Sequence, residues 1–480
     1  MAASGTLPAD FPPATHEAWS ALVEKTLKGA ALPEARVGEV TIKALYTAAE
    51  SRPSVAPILA PRDPERPWDV RTSITHPDPA RANADALADL EGGAASILLR
   101  IDPTAESGIA IGSAEAMARV LDQIEPELAT IALDAGFLGP KAADWLGAAA
   151  KASPAAKLAF HLDPFSALAE AGESPGPLEA HLISAATVAA RLAETYPAAS
   201  LFLASGRVVH EAGGDAALEL GFAAGAAVAY AKALVRAGLP MEQAFGRITL
   251  GLAADQDYFL TIAKLRAARA IWARIVEACG VSIPAAVEAR SSGRMLSRMD
   301  AWTNMLRLTV AGFGAAAGGA DSVVLGTFTD ALGHPGALAR RQSRNAQLVL
   351  MEEAGLGRVA DPAGGAWAIE AMTDQLARAG WAAFQAIEAQ GGLLAALTSG
   401  RIAAEAAASL AARRAALADK SDKMIGVTVF PNADPTPTPV EAVDPASFAV
   451  DGPFARLPGP DSRCPPLTPA RLAEPFEAGA

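Results

Sequence analysis

Eight short apolar segments, each followed by a helical pattern, constrain this chain more than any other feature of its sequence. They are DVRTSIT (69–75), ASILLRID (95–102), ATIALDAG (129–136), KLAFHLDP (157–164), SLFLASG (200–206), RITLGLAAD (247–255), AAVEARSS (285–292) and DSVVLGTF (321–328). Near-continuous apolar strands with a helix after each need cover on both faces, as in a parallel sheet flanked by helices. Helical patterns lie near 80–91, 113–124, 140–152, 182–195, 215–237, 257–279 and 300–318, and one more follows at about 337–354. Such repetition builds either a doubly wound open sheet or a closed barrel, and a count of eight favours a (β/α)8 TIM barrel of the α/β class. Helix ends carry matching signals. Asp215 is a candidate N-cap, RAGLP (236–240) closes its helix with Gly and then Pro, and Asp300 is placed similarly before AWTNMLRLTVAGF.

The flanks differ from the barrel. Residues 1–68 read as an N-terminal extension, with an amphipathic helix in HEAWSALVEKTLKG (16–29) followed by VGEVTIKALYT (37–47). Residues 69–420 hold the barrel and trailing helices. In 421–480 the composition shifts: twelve of the 35 prolines fall between Pro431 and Pro475. Proline at that density breaks hydrogen-bond ladders and favours extended chain, so this part reads as a wrapping linker with no second compact domain behind it.

A net charge of −13 argues against a nucleic-acid-coating or anionic-membrane protein. The two cysteines, Cys279 and Cys464, cannot make a disulfide framework, so a reducing, cytoplasmic setting is expected. The N-terminus has neither the basic start nor the apolar run of a signal peptide. Apolar stretches such as LGFAAGAAVAYA and LTVAGFGAAAGGA read as closely packed Ala/Gly helices, too short to span a bilayer.

Polar residues gather where barrel enzymes place their chemistry, at the ends of strands: Asp102, Asp134, Asp163, Ser205, Asp255, Ser291 and Thr327. Helix capping accounts for such residues equally naturally. Of the six histidines, none forms an i, i+4 pair or HExxH, and those in HLD (161–163) and HE (210–211) read as polar loop residues. There is no GxSxG, CxxC, Walker pattern or strand-borne GxGxxG. ARRQSRN (339–345) gathers Arg340, Arg341 and Arg344 at a helix start, either as a solvated or ion-paired face or as an anion site.

Long ordered stretches carry a resemblance. They are PWDVRTSITHPDPA (67–80), DQDYFLTIAKLRAARAIW (255–272), RMDAWTNMLRLTVAGFGAAAGGADSVVLGTFTDALG (298–333), ARRQSRNAQLVLMEEAGLGRVADPAGGAWAIE (339–370) and IGVTVFPN (425–432). Over roughly residues 16–475 the chain resembles the methylmalonyl-CoA mutase family. The resemblance implies a (β/α)8 substrate barrel threaded along its axis by CoA. It also implies a radical rearrangement between (R)-methylmalonyl-CoA and succinyl-CoA, with adenosylcobalamin carried on a C-terminal flavodoxin-like domain.

The same resemblance marks departures. Catalytic members read Ser-Gly-Tyr-His, then Glu-Ala-Gly, where this chain reads SGRVVHEAGG (205–214). Ser205, Gly206, Glu211, Ala212 and Gly213 keep the frame, but Arg207 stands in the Tyr position and Val208 in the His position. His210 is displaced by two residues. The family's imidazole contacts the thioester carbonyl, and valine can neither donate nor accept a hydrogen bond. A second family tyrosine, in Arg-Gln-Tyr-Ala-Gly, aligns with RTSIT, so Ser73 replaces it. No histidine follows His334, so the family's cobalt-binding Asp-x-His-x-x-Gly is not present, and the cobalamin domain is expected to be absent. These changes imply a small, non-catalytic subunit, with no metal or cofactor site of its own. Its partner would be a large catalytic subunit that holds adenosylcobalamin. A substrate-binding barrel of a split mutase, with a separate cobalamin chain, is the enzymatic alternative. A CoA-ester sensor is a third.

Overall fold

The computed structural model describes residues 14–477 apart from 33, 39, 49–62, 64, 154, 433, 435, 453 and 454. The first thirteen residues of the N-terminal extension and most of the stretch joining it to the barrel thus lie outside the described residues.

Every strand read from the sequence is present. After a hairpin of β1 (Ala35–Val37) and β2 (Val40–Ile42) come β3 (Asp69–Ile74), β4 (Ser96–Arg100), β5 (Thr130–Asp134), β6 (Leu158–Leu162), β7 (Ser200–Ser205), β8 (Ile248–Ala254), β9 (Ala286–Ser291) and β10 (Ser322–Val324). β3 to β10 pair in chain order, all parallel, and β10 closes on β3. β10 is shorter than the apolar run suggests. Beyond it, the Gly326 N–H donates to Ser291 Oγ and the Thr327 N–H to Asp330, which takes both out of the ladder.

Alternation along the strands divides the interior in two. Val70, Ile97, Leu99, Ile131 and Phe160 face outward into the main core beneath the helices. Leu98, Ala132, Ala159 and Val324 form a separate small cluster inside the barrel.

The helices are α1 (His16–Leu27), α2 (Pro79–Glu91), α3 (Ala114–Val120), α4 (Gly139–Ala149), α5 (Pro164–Ala171), α6 (Leu178–Thr195), α7 (Arg207–Glu211), α8 (Ala216–Arg236), α9 (Met241–Gly246), α10 (Tyr258–Ala278), α11 (Asn304–Ala317), α12 (Ala337–Leu348), α13 (Trp367–Ala389), α14 (Leu393–Thr398) and α15 (Arg401–Ala418). Asp78, Ser113, Asp163, Asp215 and Asp257 each accept a backbone N–H at a helix start. Asp300 does not: its carboxylate takes the Thr303 hydroxyl at 2.6 Å and no backbone donor.

α8 shows why the chain is so rich in alanine and glycine. At 21 residues it is long and apolar enough to cross a membrane, contrary to the shorter runs read from the sequence, yet 72% of its apolar window is buried inside the protein. It is a core helix. α13 lies against it so closely that a Cβ on Gly221 would stand 2.7 Å from Ala383 Cβ, and one on Gly380 2.8 Å from Leu220 Cβ.

The arginines of α12 form ion pairs. Arg340 reaches Asp85 at 2.6 Å and Asp89 at 2.7 Å, and Arg344 reaches Asp89 at 2.7 Å, all with little exposure. They lock α12 to α2, so the anion-site reading of ARRQSRN is corrected. Arg341 is exposed.

The described residues of 421–477 run over the ends of the strands and helices at one pole of the barrel. His334 O accepts the Glu441 N–H, Pro103 O that of Val450, and Pro175 O that of Leu457. Farther on, Gly172 O accepts Cys464 N–H, Ala169 O accepts Leu467 N–H, Glu211 O accepts Ala470 N–H, and Arg294 O accepts Leu472 N–H. Each anchor lies beyond the C-terminal end of a barrel strand, the end where this fold places its sites.

Candidate functional site at the barrel mouth

Two cavities open beneath this strap. One of about 320 Å³ is lined by Arg100, Asp102, Asp134, His161, Asp163, Glu170 and Val208, among others. The other, about 460 Å³, takes in Ser73, Thr75, Glu211, Ser292, Thr327 and His334. They share a ridge of Arg100, Ser107, Asp134, Arg207 and Arg290. The three positions singled out from the sequence therefore meet at one mouth: Ser73 in the larger lobe, Val208 in the smaller, and Arg207 between them.

The strand-end acids divide by role. Asp102 binds the Thr104 and Ser107 N–H groups and hydroxyls of its own loop. Asp163 caps α5 and accepts the Tyr230 hydroxyl at 2.5 Å. Burial pushes its carboxyl up to about 7, even though the Ser166 and Tyr230 hydrogen bonds pull the other way. Asp134 caps nothing. It accepts Arg290 Nη1 at 2.7 Å; burial acts to raise its pKa, but Arg290, Arg100 and Arg207 together hold it below the ordinary carboxylate range.

Below the mouth the barrel axis is filled by charge. Glu288, fully buried, accepts Arg71 Nη1 at 2.5 Å and Arg290 Nε at 2.6 Å. Arg71 also reaches Asp69 at 2.6 Å and Ser96 Oγ at 2.8 Å. Burial alone would raise the Glu288 carboxyl, but Arg290, His161 and Arg71 outweigh it and keep the group ionised far into acid. His161 stands beside it, with Nδ1 4.0 Å from Glu288 Oε2. Burial pushes this imidazole down to about 4, with Glu288 opposing. His161 is no loop residue, as the sequence suggested. It sits on β6 at an irregularity in the β6–β7 register with φ 46°. A third cavity of about 310 Å³ at the opposite pole is lined by Asp69, Arg71, Lys157 and His161. His161 thus forms part of the wall between the two ends of the barrel.

SGRVVHEAGG is also more structured than a loop. Arg207–Glu211 is the short helix α7. His210 is buried within it, bonded to Ser292 Oγ at 3.0 Å and beside Glu219 and Asp255. Burial, with Arg294 and Lys264 nearby, drives its pKa well down. The retained frame has structural work. Glu211 accepts the Gly293 and Arg294 N–H groups, and a Cβ on Gly206 would lie 2.1 Å from the Glu219 carbonyl oxygen.

The model of the methylmalonyl-CoA mutase family matches residues 60–451. The chain belongs to the methylmalonyl-CoA mutase family. It is 40% identical to the methylmalonyl-CoA mutase small subunit of Streptomyces virginiae, over 94% of this chain and 76% of that one. It is 32% identical to the small subunit of Propionibacterium freudenreichii subsp. shermanii, covering 89% and 70%. To the methylmalonyl-CoA mutase of Cereibacter sphaeroides it is 27% identical, covering 92% and 68%.

The mutase family's reaction depends on CoA and cobalamin. Arg71, Glu288, Arg290 and His161 form an ion network across the barrel axis, with His161 lining a cavity on each side. His210 is bonded to Ser292 Oγ and His181 to the Pro175 carbonyl, while His161 Nδ1 is buried 4.0 Å from Glu288 without a hydrogen bond. No group of three or more His, Cys, Asp or Glu suited to a metal occurs among the described residues. Sequence reasoning missed Arg71, Arg100, Glu288 and Arg290. Charges at inward positions of strands were the available signal.

Proposed function

We propose that the chain is the small structural subunit of an adenosylcobalamin-dependent methylmalonyl-CoA mutase, itself without catalytic activity. The observation that carries this reading is the ion network across the barrel axis, where the family threads CoA. It is supported by Arg207 and Val208 in the positions of the catalytic Tyr and His, and by Ser73 in that of the second Tyr. Relatives named small subunits add further support. Adenosylcobalamin then resides on a large partner subunit, which performs the isomerisation. Two free thiols, Cys279 and Cys464, suit a reducing, cytoplasmic setting.

The barrel is kept because it offers surface. α1 buries none of its residues against the rest of this chain and leaves Leu22 64% exposed. A permanent subunit contact needs such apolar area, commonly above about 2,000 Å² in all. The substrate-barrel alternative is disfavoured because a substrate barrel needs an open axis. The test is co-expression with a large mutase subunit, followed by light scattering on the size-exclusion peak. A one-to-one complex that weakens when residues 1–30 are deleted is the expected result. A chain that stays monomeric beside an unaffected large subunit would defeat the proposal.

A further inference from the structure

The mouth above the axial network holds more guanidinium N–H groups than the protein itself satisfies. Arg290 Nη2 is buried with no hydrogen-bond partner, although Nε and Nη1 of the same side chain are engaged. Arg207 Nε is also buried and unpartnered, 3.7 Å from Glu211 Oε1 and beyond hydrogen-bonding distance. The Arg100 guanidinium makes no hydrogen bond or close ion pair among the described residues, and all three side chains line both lobes. Glu211 Oε1 is likewise buried and unpartnered, so it can answer Arg207 Nε after a small shift, but Arg290 Nη2 has no such neighbour, and a buried donor left unmade costs free energy.

The acids of the smaller lobe do not supply it. Asp102 is bound by its own loop, Asp163 by Tyr230 and the start of α5, and Asp134 by Arg290. Glu170 is left, and burial, with Asp134 nearby, favours its neutral form. In the larger lobe Asp330 is bound by Thr327 and Glu211 Oε1 faces Arg207, so the valence left open at Arg290 Nη2 is for an acceptor. Arg207 stands where the family resemblance places a tyrosine, so this cluster is a feature of this chain's own sequence.

We propose that the barrel mouth binds a small oxyanion, of the size of phosphate or a short dicarboxylate, between Arg100, Arg207 and Arg290. Planar guanidinium groups match the paired oxygens of either. The axial network beneath and a lobe of about 320 Å³ set the size limit. The proposal rests on the arginines and not on the chain being non-catalytic.

The experiment is isothermal titration of the full chain with inorganic phosphate and, separately, with oxalate, at matched ionic strength. Arg100→Ala and Arg207→Ala are titrated in parallel. The Arg100 side chain is exposed and makes no direct hydrogen bond, so its removal is expected to leave the fold intact, and melting curves without ligand verify this for both. A saturable single site for either probe, weakened about tenfold by each substitution, is expected, about the loss of one charge-assisted hydrogen bond. The probe that binds identifies the source of the oxygens. No saturable binding of either probe, or binding that both variants retain in full, overturns the proposal. Binding of a CoA ester through the axis would contradict the proposed function and leave this site standing.

Discussion

Replacing Glu288 by glutamine removes the charge at the centre of the barrel and keeps its shape. Two guanidinium groups, on Arg71 and Arg290, then lose the carboxylate they share at 2.5 and 2.6 Å. Breaking a buried ion pair from one side costs about 3–5 kcal/mol, because the opposite charge stays buried without compensation. The loss here falls at the lower end. Arg71 keeps Asp69 and Ser96, and Arg290 keeps Asp134. About 3 kcal/mol is therefore expected. With a denaturant slope of about 3 kcal/mol/M, the urea midpoint followed by circular dichroism drops by about 1 M at neutral pH. The triple replacement Arg71→Met, Glu288→Leu, Arg290→Met should cost more than the single one, since it also leaves Asp69 and Asp134 without their guanidinium partners. A Glu288→Gln midpoint within about 0.3 M of the parent, or a triple variant more stable than the single, would refute the view that the axis is held by paired charge.

Other expectations follow from the same geometry. Asp163, raised to about 7 by burial, holds a proton in the folded chain that the unfolded chain releases, so its contribution to stability falls as pH rises from about 4 to 7. His161, lowered to about 4, works in the opposite sense and costs stability as pH falls from about 6.5 to 4. Asp163→Asn should therefore gain on the parent as pH rises from 5 to 8; a melting-temperature difference that stays flat across that range would contradict the assignment. Gly206→Ala should destabilise by about 2 kcal/mol in chemical unfolding, because its Cβ meets backbone and not a movable side chain, and a neutral result would count against the packing described for α7. A thiol reagent should label exposed Cys279 in the native protein and reach Cys464 only on unfolding; rapid labelling of both would mean the strap is not seated.

The barrel was legible because each strand is apolar on the face that meets the helices, and that signal is local. What joins distant parts was not. Arg71 and Glu288 lie 217 residues apart, and Arg344 and Asp89 lie 255 apart, so a basic cluster on α12 looked as ready for an anion as for a carboxylate. His161 and His210 read as loop residues because a lone polar residue beside a strand end carries no sign of which way it faces. α7 was hidden by the motif around it. Six residues between glycines look like a loop, and only the close approach of Gly206 to α8 explains why the frame persists without Tyr and His. The substitutions Arg207, Val208 and Ser73 were visible through the family resemblance alone, since no spacing rule marks a missing side chain.

The central claim is that one barrel of the pair is silent, and ligand stoichiometry tests it most directly. The one-to-one complex with a large mutase subunit, loaded with adenosylcobalamin, is titrated by equilibrium dialysis with a radiolabelled non-reactive CoA ester. The account predicts one CoA ester and one cobalamin per complex, with the isolated small chain binding neither. A second CoA-ester site, present in the complex and in the small chain alone, would contradict it.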